Sequence, residues 1–225
     1  MRLNFKLDFF DAVVFNGAQD AKLAAYEREL DVSHVPPLER RRLSRAAKCA
    51  FDLTKNIAPL DMPIVFSSYE GEINRCFELE TALAKAEPVS PTSFSLSVHN
   101  AISSLLSIEA KNHNEILAIS SFSPVEDALQ AAFLRLNDGY EKVLILAYHE
   151  SISQSYFDEQ KPSFMLALVV SKAKDKRVLT LKRVEKEEEI SENLLQSFII
   201  NFDPNMAKTW QSSSHFSSWN FSYEP

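Results

Sequence analysis

The sequence predicts an α/β fold in which helices cover both faces of a mixed, mostly parallel sheet. Three continuous apolar runs, residues 116–119, 143–148 and 164–170, have the length expected of strands that are buried on both faces. A segment with helical apolar spacing separates the first run from the second, and others precede them. Strands and amphipathic helices that alternate in this way are typical of parallel strands joined by helical crossovers.

Length and composition are those of a soluble globular protein. The chain has 225 residues, of which 45% are hydrophobic and 24% are charged. A chain of this length buries a substantial core, so we expect one domain over residues 1–225, with residues 173–225 as a less regular C-terminal extension. The net charge of -7 argues against a general nucleic-acid binder, which normally carries a basic face.

Glycine and cysteine usage excludes further kinds of site. The three glycines stand far apart, whereas phosphate-binding and dinucleotide-binding loops need several at close spacing. Cys49 and Cys76 form neither a disulfide framework nor a metal-binding spacing, and no cluster of histidines indicates metal ligation. We therefore expect no cofactor and no metal.

No segment has the character of a membrane span or a secretory leader. The longest apolar runs are far shorter than the ~20 residues that cross a bilayer. The N-terminus lacks a basic start followed by an apolar centre and a small-residue cleavage site. The sequence therefore predicts a cytoplasmic protein without membrane insertion.

The first elements are a strand and a basic helix. Alternating apolar residues over 3–8, followed by extended structure to residue 15, predict an N-terminal strand. Two prolines then precede a helix that is expected over residues 38–56 and has one apolar face. The basic residues around its other side are Arg40, Arg41, Arg42, Arg45 and Lys48. This basic cluster is either a solvated face or a docking patch for an acidic partner.

A short strand and a second helix follow. Residues 63–67 form an apolar run, after which Gly71-Glu72 leads into a helix expected over residues 72–85. We expect this helix to bury its apolar face, which carries Ile73, Phe77 and Leu83.

The run over residues 90–108 changes its periodicity midway. Over residues 92–97, Thr92, Phe94 and Leu96 alternate with three serines, and this period of two predicts a strand. Residues 98–108 have helical apolar spacing. The sequence thus predicts an abrupt strand-to-helix turn at residues 97–99. Several enzyme folds place a nucleophile at such a turn, because the helix N-terminus stabilises negative charge there.

The later elements continue the alternation. A helix is expected over residues 124–136, whose start carries a serine–proline capping signature. Strands are expected over residues 142–149 and 163–170. Beyond the last of these strands the pattern weakens: helical spacing recurs over residues 190–202, and the tail from Asp203 has no evident periodicity.

The central run also carries a family resemblance. Residues 90–101 resemble the S-P-T-x-F-x-x-S-V-H-N-A run of the small β-ketoacyl synthase N-terminal-type family. Gly71-Glu72 between a strand and a helix matches that family too, whereas His149 departs from the Asp-Glu pair that its members tend to carry. The family belongs to the thiolase-like condensing enzymes. It includes the chain length factors of aryl polyene biosynthesis, which act as partners of a true ketosynthase.

The resemblance implies a fold and a role. The fold would be half of a thiolase fold, whose two halves normally pack in duplicate. The role would be that of a non-catalytic chain length factor, which forms a heterodimer with an active β-ketoacyl synthase in aryl polyene biosynthesis and helps to shape the acyl tunnel. An acyl carrier protein would then be the acidic partner for the basic cluster.

The resemblance also implies that the chain does not condense acyl chains by itself. True ketosynthases carry a nucleophilic cysteine at a strand-to-helix turn, which the resemblance assigns to Ser97 and Val98 here. Two histidines usually come from a C-terminal half, and this chain stops before that half would begin. We therefore expect a vacated turn and no catalytic residue. The expected interface and tunnel residues are Phe94, Leu96, Ser97, Val98, His99 and Asn100.

A stand-alone acyl transferase or hydrolase that uses Ser97 or His99 is the alternative function. Residues this close in the chain do not normally point at one another across such a junction, and no G-x-S-x-G setting exposes Ser97. The same two side chains serve equally as helix caps or interface residues. Likewise, Phe94, Leu96 and Val98 in a predicted central strand are either core residues or interface residues.

Overall fold

A computed structural model of the chain describes residues 1–15, 17, 20–153, 162–174, 176–185, 193–214 and 216–225. Its strands are β1 (Arg2–Phe15), β2 (Ile64–Ser68), β3 (Ile116–Ser120), β4 (Lys142–His149), β5 (Ser163–Lys172), β6 (Val178–Val184), β7 (Lys208–Ser213) and β8 (Ser218–Glu224). Its helices are α1 (Ala21–Ala24), α2 (Pro37–Arg40), α3 (Arg45–Thr54), α4 (Ile73–Ala84), α5 (Pro91–Ser95), α6 (Ala101–Ala110), α7 (Pro124–Asn137) and α8 (Leu194–Asn201). None of these helices has the length and apolar character that crossing a bilayer requires.

The strands form one mixed sheet in the order β3-β2-β4-β5-β1-β6-β8-β7. β2 pairs in parallel with β3 and β4, and the other pairings in the described residues are antiparallel. The predicted α/β fold with a mixed sheet is confirmed, but the expected parallel majority is wrong. The antiparallel strand β5 is buried on both faces like a parallel one, so its apolar run says nothing about its direction.

Alternate residues of β5 enter two hydrophobic cores on opposite faces of the sheet. Phe164 and Leu166 pack in the core that contains α7 and α8. Met165 and Ala167 pack in the core that contains α3 and α6. Helices therefore cover both faces of the sheet, as the sequence predicts.

The C-terminal segment belongs to the same core and is not a less regular extension. β6 pairs with β1, and β8 and β7 continue the sheet beyond it. The side chains of Trp219, Phe221 and Tyr223 in β8 are at most 3% exposed and pack in the core with α7 and α8. These residues alternate with polar ones at period two, so the tail does carry a strand signal.

Two helices have boundaries other than those predicted. The helix expected over residues 38–56 is divided into α2 and α3, because the Ser44 hydroxyl accepts a hydrogen bond from the Ala47 N–H at 3.0 Å and caps a new helix. The helix expected over residues 190–202 is α8, which begins at Leu194. Residues 190–192 lie outside the described residues.

Candidate functional site

Residues 92–97, predicted as a strand, belong to helix α5 and to the connector after it. The Ser90 hydroxyl accepts a hydrogen bond from the Ser93 N–H at 3.3 Å, and Pro91 takes the first helical position. The predicted strand is therefore wrong. A capping serine followed by proline starts a helix locally, and this signal outweighs an alternation over only six residues.

The connector, residues 96–100, joins helix α5 to helix α6 and is not a strand-to-helix turn. The expectation of a vacated nucleophile turn at Ser97 and Val98 thereby loses its geometric basis. The Ser97 hydroxyl donates to the Phe94 carbonyl oxygen at 2.8 Å, within its own helical turn. Val98 is 51% exposed, so it is not a core residue either.

His99 fixes the connector to the carboxyl ends of two strands. Its Nε2 donates to the Ile119 carbonyl oxygen in β3 at 2.9 Å, and its ring lies edge-on to Phe66 of β2. Gly71 has a φ of +60°, and a Cβ there would lie 2.8 Å from His99 Nδ1, so glycine alone fits without strain. Ser97 and His99 bond to different groups, and the structure forms no catalytic pair from them.

The strand-to-helix turn of this region lies between β3 and α7. β3 ends at Ser120, and α7 begins at Pro124. Between them the Ser121 hydroxyl donates to Asp127 Oδ2 at 2.5 Å and accepts from the Ser123 N–H at 2.8 Å. Both bonds hold the first turn of α7, and Ser121 is only 6% exposed, so its hydroxyl has a structural role.

Three exposed aromatic side chains surround this turn. Phe122, in the turn itself, stacks on Tyr69 with the ring centroids 4.0 Å apart, and the Phe216 ring lies 5.7 Å from that of Phe122. Each of the three is more than half exposed. The sequence analysis did not single them out. The available signal was that Tyr69 and Phe122 follow predicted strands, and the carboxyl ends of parallel strands are where α/β folds place functional groups.

Neither cysteine lies at this turn. Cys49 is in α3, and Cys76 is in α4. Burial raises the pKa of the Cys49 thiol to about 12 and also raises the pKa of Cys76. Both thiols stay protonated near neutral pH, whereas a nucleophilic cysteine reacts as the thiolate.

Helices α4 and α5 form an arm outside the two cores. No residue of α4 is buried, which contradicts the prediction that Ile73, Phe77 and Leu83 pack inside. Leu83 is 64% exposed. Among the described elements α4 packs chiefly against α5. Helical apolar spacing indicates a face that needs covering, but it does not say which chain covers it.

The predicted interface residues all lie on this arm or in the connector, and none is buried: Phe94, Leu96, Ser97, Val98, His99 and Asn100. Phe94 is 66% exposed and is not a core residue. Next to the connector, the edge strand β3 has half-buried or exposed side chains along its whole length. We call α4, α5, the connector and β3 together the apolar surface.

The predicted basic cluster is not one uniform patch. Arg40 turns back and donates to the backbone carbonyls of Ser33 and Val35 at 3.0 and 2.8 Å. The guanidinium of Arg45 lies over the Phe15 ring, 4.6 Å from its centroid. Arg41, Arg42 and Arg45 are exposed, and Lys48 is half-buried like Arg40.

A cleft of about 860 Å³ lies between the arm and the start of α3. Arg41, Arg42 and Arg45 contribute to it from the turn before α3 and from its first residue. The first turn of α4, the start of α5 and residues 150–153 after β4 supply the other walls. The cleft is thus lined mainly by charged and hydroxyl-bearing side chains.

Two buried carboxylates also line this cleft. The Ser44 hydroxyl donates to Glu72 at 2.5 Å, and Arg75 Nε pairs with the same carboxylate at 3.2 Å. Burial raises the pKa of Glu72, an effect that Ser44 and Arg75 partly offset. Burial likewise raises the pKa of Glu150, which Asn74 partly offsets.

Comparison with known proteins agrees with this fold. A family model described as beta-ketoacyl synthase, N-terminal domain, matches residues 16–222. A chain in the solved complex of a ketosynthase with its chain length factor from Xenorhabdus doucetiae has a TM-score of 0.80 and 22% identity, over 98% of this chain and 99% of that chain. A beta-ketoacyl synthase from Burkholderia phymatum STM815 has a TM-score of 0.53 and 14% identity, over 65% of this chain and 46% of that chain. No curated protein matches the chain. The thiolase-like fold implied by the resemblance is confirmed.

Proposed function

The chain belongs to the family of β-ketoacyl synthase N-terminal domains, and on this premise we propose that it is a chain length factor, a non-catalytic subunit paired with a separate ketosynthase. The pair would act in aryl polyene biosynthesis in the cytoplasm, where this chain helps to bound the acyl tunnel. The observation that carries the proposal is the apolar surface, in which helix α4 has no buried residue and the edge strand β3 is only half-buried.

Physical chemistry favours a protein partner for this surface. An amphipathic helix outside the core and an open edge strand both expose groups that association buries. Phe94 and Val98 are exposed large apolar side chains of this surface, the type of residue that anchors interfaces. His99 holds the connector against β3, so these anchors are presented from a fixed backbone. A chain of the same fold occurs in a ketosynthase–chain length factor complex.

The thiol chemistry supports a non-catalytic role. A ketosynthase nucleophile sits at a strand-to-helix turn, and the turn between β3 and α7 offers Ser121, Phe122 and Ser123. The Ser121 hydroxyl is occupied by structural hydrogen bonds. Cys49 is buried in α3, with its pKa raised to about 12. The condensing thiolate would therefore come from the partner.

The proposed tunnel lies between the subunits. The 860 Å³ cleft within this chain is lined by charged and hydroxyl groups, which an apolar acyl chain would deprive of water without replacing their hydrogen bonds. The exposed Phe94 side chain at the partner-facing arm is better suited to bound an apolar channel. Leu96 and Val98 would contribute to the same wall.

Co-expression with a ketosynthase from the same gene neighbourhood tests the pairing. We expect the two chains to elute together as a heterodimer on size exclusion. Changing Phe94 and Val98 together to glutamate should weaken the complex by about a hundredfold or more, because it buries two charges where two apolar anchors belong. Analytical ultracentrifugation of the purified pair measures the dissociation constant.

Met206→Glu is the matched control, because Met206 is 62% exposed and lies outside the apolar surface. It should leave the dissociation constant unchanged. Circular dichroism of the double variant alone confirms that it folds. Separate elution of the two wild-type chains, or equal weakening by both changes, would contradict the pairing.

We propose a narrower carrier-protein contact than the sequence predicts, because Arg40 is bound internally. Arg41, Arg42 and Arg45 would face the acidic carrier protein. Reversing Arg41 and Arg45 to glutamate in the assembled pair should weaken carrier binding about tenfold or more at low salt, measured by surface plasmon resonance. Arg2→Glu, on the exposed start of β1, is the control. Unchanged affinity after the double reversal would remove this contact and leave the pairing untouched.

A further inference from the structure

The cleft beside the arm has the character of a ligand site that the pairing with a ketosynthase does not use, although a ligand here would share Arg41 and Arg42 with the proposed carrier-protein contact. Its volume of about 860 Å³ is within the range of pockets that hold small organic ligands. Its walls carry hydroxyl and amide groups, which suit a polar ligand. The side chains of this kind are Ser44, Asn74, Ser90, Thr92 and Ser93.

Arginine is concentrated at this cleft in a chain whose net charge is -7. Arg41, Arg42 and Arg45 fall within five consecutive residues, and all three are exposed. The Arg41 side chain makes no hydrogen bond or ion pair with any residue that the structure describes. Arg42 pairs with Glu39 at 3.3 Å, but both side chains are about half exposed, so the pair contributes little. The Arg41 and Arg42 guanidinium groups are therefore available to an anion.

The acids in the cleft do not cancel this charge. Ser44 and Arg75 already bind the Glu72 carboxylate, so Glu72 has its own partners. Burial and the neighbouring Glu72 raise the pKa of Glu150, and its hydrogen bonds with Asn74 and Tyr148 partly offset this effect. Glu78 is the exposed acid among the lining residues.

We propose that this cleft binds a phosphate monoester with a polar body about the size of a sugar. Arg41 and Arg42 hold the phosphate, because the planar guanidinium presents paired donors that match phosphate oxygens. We include a polar body in the ligand because the cleft is much larger than a phosphate group. The hydroxyl groups of that body bond to the Thr92 and Ser93 hydroxyls along the walls.

Isothermal titration of the purified chain with ribose 5-phosphate and with inorganic phosphate, at constant ionic strength, tests the site. We expect saturable binding of ribose 5-phosphate that is tighter than binding of inorganic phosphate. Changing Arg41 and Arg42 together to glutamine should weaken ribose 5-phosphate binding about tenfold or more, since charge-assisted hydrogen bonds are lost. Glu78→Gln should strengthen binding, because it removes a like charge from the cleft.

Arg2→Gln is the control, because it removes one arginine charge by the same substitution outside the cleft. Three results would overturn the proposal: no saturable heat at millimolar ribose 5-phosphate, equal weakening by Arg2→Gln, or equal affinity for the two ligands. All of these positions are exposed, so the variants are expected to fold, and thermal unfolding checks that they do. The titration uses this chain alone, so its result does not depend on the proposed pairing with a ketosynthase.

Discussion

Replacing Phe221 by alanine is expected to lower the free energy of unfolding by about 3–5 kcal/mol. Phe221 is 1% exposed; its ring stacks on Trp210 with centroids 5.0 Å apart and meets Phe198 edge-on at 5.4 Å. These rings come from β8, β7 and α8, so truncation opens a cavity where the C-terminal strands join the core. Urea denaturation followed by circular dichroism measures the change.

Phe216→Ala is the matched control for this change. Phe216 is 70% exposed, and its truncation should alter the free energy of unfolding by less than about 0.5 kcal/mol. A loss below about 1 kcal/mol for Phe221→Ala would contradict the tight packing of β7 and β8 on α8. It would favour instead the less regular C-terminal extension that the sequence analysis expects.

The stability of the protein is expected to fall as the pH rises towards 7, and Glu126→Gln is expected to reduce that fall. Glu126 is 1% exposed in the first turn of α7, and the Ser212 hydroxyl of β7 donates to its Oε1 at 2.5 Å. Burial raises the pKa of Glu126 from 4.5 to about 7, and Asp127 adds a smaller effect in the same direction. The glutamine keeps a hydrogen-bond acceptor for Ser212 and carries no charge at any pH.

The direction of this pH dependence follows from whether the folded or the unfolded chain holds the proton of Glu126. Below pH 4.5 both the folded and the unfolded chain keep Glu126 protonated, so its contribution to stability is fully present. Between pH 4.5 and about 7 the unfolded chain has released the proton while the folded chain retains it, so rising pH favours unfolding. The difference between these pKa values corresponds to a loss of about 3 kcal/mol in the free energy of unfolding.

Urea denaturation of the wild type and of Glu126→Gln at several pH values between 5 and 8 measures this effect. The difference in the free energy of unfolding should grow in favour of the variant as the pH rises. Glu141→Gln, at an exposed position, is the control and should follow the wild-type curve. Parallel curves for wild type and Glu126→Gln would show that the buried carboxyl does not control stability in this range.

The sequence alone determines the elements whose signal is local. The runs at residues 116–119, 143–148 and 164–170 are β3, β4 and β5. The helix predicted over residues 124–136 is α7, Pro124–Asn137. Periodicity and capping chemistry act over a few residues, so both can be recognised from the sequence without knowledge of the fold. The Ser90–Pro91 signature of α5 is equally local, and it outweighs the serine alternation that follows it.

The candidate site could be predicted only in part. The six residues over 94–100 were expected at an interface, and they do lie on or beside the uncovered arm. The strand-to-helix turn predicted within this run was wrong, because that turn lies between β3 and α7. Tyr69 and Phe122, 53 residues apart in the sequence, meet only because β2 and β3 are neighbours in the sheet.

The sequence by itself determined the α/β class, the long buried strands and the helix that follows β3. Only the tertiary structure decided the direction of β5, the uncovered face of α4, and the position of the strand-to-helix turn. The physical reason is the same in each case. Apolar spacing indicates that a side chain needs burial. Only the folded chain shows which element buries it, or that the side chain is left for another molecule to bury.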